Sequence, residues 1–218
     1  MKLIIIEGGD RLGKSTLIEG ICKKLNYDNI TIRHFGKPPR ELKGDAAFGF
    51  QMTCFQKEAE LVYHMLNFNE DYEMGVSDFF KYEYANIMIW NRSHLGEYVY
   101  GQMFRGGNPE FMKQKLIDFE TVWLNDDKLD IYLITLTADP NFFLMQEDGQ
   151  SFSQNIDQKT TELGLFKQAH EFSTIQNKLL VKVDNETEFQ TGTEWRMKGP
   201  NIFRPKEEIL SEVINFIK

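Results

Sequence analysis

Eight residues near the start of the chain carry the sharpest chemistry. Gly8-Gly9-Asp10-Arg11-Leu12-Gly13-Lys14-Ser15 follows G-x-x-x-x-G-K-[ST], the pattern of a loop that wraps the phosphates of a nucleoside triphosphate. Gly8 and Gly13 let the backbone curl and turn its N–H groups inward. The helix that follows opens with unpaired N–H groups and a partial positive charge, which favours an anion there. Lys14 brings a point charge to the β- and γ-phosphates. Ser15 offers a hydroxyl to a magnesium ion, and Thr16 continues the motif.

Regular elements must hold that loop in place. Near-continuous apolar runs at 3–6, 30–34, 87–90, 131–135 and 179–183 read as strands covered on both faces. Between them run helical patterns at 14–25, 57–68, 75–84, 109–124 and 206–217. Another helix opens at Asp139-Pro140 and stops near Asp148-Gly149. Asn108 reads as an N-cap, with Pro109 at the first helical position. This alternation predicts an α/β fold, a single domain over 1–218 with a mainly parallel five-stranded sheet. Two polar segments, 36–55 and 148–158, are left as loops of the kind that bind or cover ligands.

In such sheets ligands lie outside the carboxyl ends of the strands, so the residues after each strand matter most. After the second strand, Lys37 and Arg40 fall near the phosphate loop. After the third, Asn91-Arg92-Ser93 places an arginine directly at a strand end, well suited to a phosphate. After the fifth, Asp184-Asn185-Glu186-Thr187 reads as a wall beside a nucleotide base.

The chain has 218 residues and a formal net charge of −8. That charge argues against a grip on extended nucleic acid, whose affinity comes largely from neutralised phosphates. The only cysteines, Cys22 and Cys54, lack metal-like spacing and suggest a reducing compartment. Met1-Lys2 leads straight into a strand that the site needs, and no apolar run reaches membrane-spanning length. A cytoplasmic protein without a signal peptide or membrane span is expected. A homodimer is left open, since an apolar helix face used for pairing reads the same as a core face.

Ile6-Glu7-Gly8-Gly9-Asp10-Arg11-Leu12-Gly13-Lys14-Ser15-Thr16 resembles the opening of the thymidylate kinases, within the larger group of nucleoside and nucleoside-monophosphate kinases. The order of motifs is similar along the whole chain, although only this one is sharp. Asn91-Arg92-Ser93 stands where that family has Asp-Arg-Tyr. The stretch from Phe35 to Arg40 is loosely similar to its Phe-Pro-x-Arg, and Lys182-Val183-Asp184 to its segment near the adenine. The resemblance implies a three-layer P-loop kinase fold with a mobile lid, here 146–158. It also implies transfer of the ATP γ-phosphoryl group to a nucleotide's phosphate, with Mg²⁺ as cofactor. By position, Asp10 would hold the acceptor's 3′-hydroxyl, and Arg92 its phosphate, helped by Arg40 or Lys37. Tyr63 would stack on the base. In that family the catalytic arginine sits either in the phosphate loop or in the lid. Segment 146–158 has no Arg or Lys, so the role falls to Arg11. One arginine so placed is worth roughly 10³ to 10⁵ in rate.

The departures bear on the acceptor. Asn91 replaces an aspartate; it can still hydrogen-bond a magnesium-bound water but adds no charge. Ser93 replaces a tyrosine beside the sugar, Asn67 stands roughly where the family has an arginine on the base, and His94 and Glu97 have no family counterpart. Dedicated cations and no obvious base after the second strand favour a monophosphate acceptor, dTMP or a related or modified pyrimidine nucleotide, over a deoxynucleoside. A modified base in DNA is a third candidate, and a non-catalytic nucleotide-binding module is the alternative of another class. Asn177-Lys178 is followed by two leucines, so the guanine motif of a GTPase fails.

Overall fold

The run after Met1 forms β1 (Lys2–Gly8), in which Leu3 to Ile6 are fully buried. Their alternate side chains serve two cores. Leu3 and Ile5 enter one, Ile4 and Ile6 the other, so β1 must be covered on both faces. The computed structural model describes residues 1–25, 30–72, 87–149, 151–186, 188–191, 195–198 and 201–218; residues 65, 67–72, 188–191 and 195–198 are described as backbone only.

Around β1 the order is α1 (Lys14–Leu25), β2 (Ile30–His34), α2 (Gly44–Tyr72), β3 (Ile87–Asn91), α3 (His94–Arg105), α4 (Pro109–Trp123) and β4 (Asp130–Thr137). Then follow α5 (Pro140–Met145), α6 (Ile156–Phe172), β5 (Asn177–Lys182), four short strands and α7 (Lys206–Ile217). The five long strands form one parallel sheet in the order β2-β3-β1-β4-β5. Residues of α2, α3 and α4 fill the core on one face, and those of α1 and α7 the other. The three-layer α/β/α arrangement is thus as expected. Register pairs Ile6 with Asn91 and Gly8 with Leu136, which brings the ends of β1, β3 and β4 level.

Several boundaries correct the sequence reading. Most of the expected loop 36–55 is helix, because α2 starts at Gly44 and buries Ala47, Phe48, Gln51, Met52 and Phe55 at helical spacing. Its glycines and polar residues hid that stripe. Helix α3 was not expected at all; Gly96 and Gly101 break its pattern. A Cβ on Gly101 would lie 2.5 Å from Met112 Cε, so a glycine lets α3 approach α4 closely. Helix α5 ends at Met145, and α6 takes the last three residues of the expected lid. Strand β5 lies slightly earlier than expected. The short strands β6 (Asp184–Asn185), β7 (Glu188–Thr191), β8 (Trp195–Lys198) and β9 (Ile202–Phe203) pair antiparallel, β6 with β9 and β7 with β8. The helix expected at 75–84 lies outside the described residues. Among the described residues no helix is long and apolar enough to cross a membrane.

Candidate active site

The loop between β1 and α1 has the backbone that its glycines permit. Gly8 has φ 127° and Gly13 φ 89°. A Cβ on Gly8 would also meet the Leu136 carbonyl oxygen at 2.6 Å. Lys14, only 6 % exposed, donates from Nζ to Gly8 O (2.7 Å) and Gly9 O (2.6 Å). Burial, reinforced by the nearby Arg92 charge, lowers its pKa to about 8. Ser15 and Thr16 are exposed at the start of α1.

Arg11 and Arg92 are the two non-glycine residues with positive φ among those described, at 70° and 63°. Arg92 donates its backbone N–H to Ile6 O at 3.0 Å and pairs with Asp10. Arg11 pairs with Asp148, and both are about half exposed. Asp10, Arg11 and Arg92 line a cleft of about 590 Å³ with Lys14, Ser15, Asn91 and Lys37. Four cations therefore converge on one hollow, which suits the spread charge of a polyphosphate.

Asn91 Nδ2 lies 2.8 Å from His34 Nδ1, so its amide nitrogen is engaged. Its Oδ1 is buried without a partner. A bare carbonyl oxygen on a residue of the cleft that Ser15 also lines fits a hydrated magnesium ion carried in with phosphates. Among the described residues no group of three His, Cys, Asp or Glu could hold a metal by itself.

Two further hollows adjoin the cleft. One, about 580 Å³ and mostly apolar, shares Gly13, Thr16 and Phe203 with it and extends over Leu17, Val183 and Leu210. The other shares Lys37 and Arg92 and is walled by Phe35, Phe55, Tyr100 and Phe152. Ser93, Glu97 and Arg105 complete its lining. Glu97 pairs with Arg105; burial pushes its carboxyl up to about 7, against the pull of that guanidinium. Lys37 Nζ sits 3.8 Å from the centre of the Phe152 ring.

Most of the expected site residues meet in these hollows. Arg40 stands exposed near the turn from Pro39 to Leu42, outside both the central cleft and the aromatic hollow. Tyr63 is corrected: it is 53 % exposed on α2 and lines neither. It follows the buried Val62, a step of about 100° round the helix that turns it off the core stripe. Asn67 falls on α2, with its side chain outside the described residues. Asp184 is buried, and its carboxylate accepts from the Asp139 N–H and the Asn201 amide, so it braces the chain beside the apolar hollow. Sequence reasoning missed Phe55, Tyr100, Arg105, Phe152 and Phe203. Phe152, a lone aromatic in a polar segment, was the one that could have been flagged.

A parallel sheet in this order, with a glycine-rich phosphate loop after its central strand, has the P-loop kinase fold. Thymidylate kinase from Ehrlichia chaffeensis is similar over 100% of this chain and 98% of its own, at 12% identity and a TM-score of 0.50. Thymidylate kinase from Candida albicans is similar over 99% and 90%, at 15% identity and a TM-score of 0.50. YorR from Bacillus subtilis, solved with phosphorylated GDP, reaches 18% identity and a TM-score of 0.49 over 99% and 95%. No protein-family model and no curated protein matches the chain.

Proposed function

We propose that this chain is an ATP-dependent kinase that phosphorylates a deoxynucleoside monophosphate, dTMP or a related or modified pyrimidine nucleotide. The observation that carries the reading is the line of three adjoining hollows, an apolar one of about 580 Å³ at one end and a narrow aromatic one of about 30 Å³ at the other, with Arg11, Lys14, Lys37 and Arg92 at the centre. The ATP base enters the apolar hollow against Phe203, and its phosphates wrap in the loop over Lys14. Ser15 and, through water, Asn91 would hold a magnesium ion, which would supply positive charge to the phosphates. Arg92 and Lys37 hold the acceptor phosphate, Asp10 reaches the sugar and steers Arg92, and Phe35, backed by the buried Phe55, lies against the base. Ser93 leaves room beside the sugar. Glu97 and Arg105 offer that base one acceptor and one donor. Segment 146–158 serves as the lid of a single catalytic domain that acts on free cytoplasmic nucleotides.

A deoxynucleoside acceptor is the second reading, and Glu97 favours it. A carboxyl titrating near 7 in the acceptor hollow is suited to take a proton from a 5′-hydroxyl. ADP release from Mg-ATP, measured against deoxynucleotides, deoxynucleosides and oligonucleotides, separates the readings. Turnover on monophosphates is expected. Turnover on nucleosides alone overturns the first reading, and ATP binding without acceptor-dependent release overturns both.

Lys14 gives this reading a pH signature. Its charged form binds triphosphate, and burial sets its pKa near 8 in the free protein. Binding raises that pKa, so above about pH 8 each ATP bound takes up a proton and affinity falls, approaching tenfold per pH unit. Calorimetry at pH 7 and 9.5, in buffers of different ionisation enthalpy, checks this. Constant affinity without proton uptake rejects it.

A further inference from the structure

Glu7 precedes the phosphate loop and is only 1 % exposed; its charge favours the charged form of Lys14, but its hydrogen bonds go elsewhere. Its Oε1 accepts three hydrogen bonds from one turn: Ser93 N–H at 2.8 Å, Ser93 Oγ–H at 2.7 Å and Gly96 N–H at 3.1 Å. Ser93 is the N-cap residue of α3, but its side chain makes no capping bond. The carboxylate that takes the free N–H of the first helical turn comes instead from β1. There the negative charge also meets the positive end of the helix. The freed Ser93 hydroxyl lies 3.1 Å from His94 Nδ1.

Arg92 sits immediately before this cap, in a left-handed backbone that costs a non-glycine residue energy and persists only where neighbours enforce it. Those neighbours are consecutive residues of one strand. Ile6 O takes the Arg92 N–H, Glu7 takes the next N–H and hydroxyl, and Gly8 then opens the phosphate loop.

We propose that Glu7 is a positioning residue that acts through Arg92: it clamps the acceptor-phosphate cation to the strand that bears the donor loop. This rests on Arg92 holding the acceptor phosphate, as proposed above. Glu7→Gln keeps the shape and one oxygen but removes the charge that makes the clamp strong.

The test is a double-mutant cycle of Glu7→Gln with Arg92→Ala. Calorimetry follows dTMP, dCMP, dAMP and dGMP, each without ATP, and Mg-ADP separately. Glu7→Gln is expected to weaken the bound monophosphate about tenfold, the cost of roughly one charge-assisted hydrogen bond, and to leave Mg-ADP within twofold. In the Arg92→Ala background it should change monophosphate affinity no further. Should Glu7→Gln fail to fold, Ser93→Ala replaces it in the cycle, with a smaller loss and the same dependence on Arg92. An undiminished effect in the Arg92→Ala background, or an equal loss for Mg-ADP, overturns the positioning role alone. If no monophosphate binds the wild-type protein, or if Arg92→Ala binds it as well as wild type, the acceptor-phosphate reading falls and this role with it.

Discussion

Arg11→Ala is expected to cut turnover by roughly 10³-fold or more while Mg-ATP binding stays within a few-fold. Phosphoryl transfer is accelerated mainly by positioning and by charge that matches the transition state. Lys14 already meets the bound triphosphate, so charge needed only at the moment of transfer must come from elsewhere. Segment 146–158 contains no Arg or Lys. The next cation, Lys159, is fully buried, donates to Glu147 at 2.6 Å and lies 4.0 Å from the centre of the Phe143 ring. Lys37 is held over Phe152, toward the aromatic hollow. Arg11 alone combines loop position, exposure and a weak surface tether to Asp148 that a phosphate can displace. Single-turnover rates and ATP titrations on Arg11→Ala and Arg11→Lys measure this. Lysine should recover part of the rate, as it keeps the charge but loses the fork. An equal loss of rate and of ATP affinity would show a ground-state role instead.

Glu120→Ala should destabilise the fold by about 3–5 kcal/mol, the range for stripping one partner from a buried polar network. Glu120 is buried on α4, and its oxygens accept from Ser173 Oγ (2.8 Å) and Thr174 Oγ1 (2.9 Å) and meet His94 Nε2 at 2.8 Å. Burial by itself would push its carboxyl up, but the His94, Ser173 and Thr174 hydrogen bonds outweigh it and the net shift is down from 4.5. A lowered folded pKa means that this stabilisation is complete above about pH 4.5 and is lost as pH falls through the folded value. In Glu120→Ala the loss should therefore shrink in acid. Urea unfolding at pH 7 and pH 4 reads both effects, and a loss below about 1 kcal/mol at pH 7 would remove the network from the stability account.

What could be read from the chain depended on how local the physics was. The phosphate loop is local: glycine spacing, a lysine and a following helix specify it within one turn, and Gly8, Gly13, Lys14 and Ser15 stand where the pattern puts them. The strands were legible because β1, β3 and β4 are buried on both faces and carry unbroken apolar runs. The aromatic hollow was not. Its walls come from four separate segments, with Phe35 after β2, Phe55 on α2, Tyr100 on α3 and Phe152 between α5 and α6. Nothing local marks them as neighbours. Tyr63 was chosen by its place in a family pattern, whereas Phe55, Ala59, Val62 and Leu66 make the buried stripe of α2. Helix α3 was obscured because Gly101, costly to a helix by propensity, is there for close contact with Met112.

The place of β1 in the sheet has a consequence for how the molecule opens. It is laddered to β3 over residues 2–6 and to β4 over residues 2–8, whereas β2 is an edge strand with one neighbour. Amides in the doubly laddered centre exchange with solvent only through the largest openings, and those at an edge through small ones. The donor loop thus hangs from the last part of the molecule to let go, while Phe35 and Lys37 follow one of the first. On the proposed reading, ordering entropy would be spent before ATP arrives on one side and when the monophosphate arrives on the other. Slowed exchange upon acceptor binding belongs along β2 and the start of α2, with the strand beneath the phosphate loop already silent.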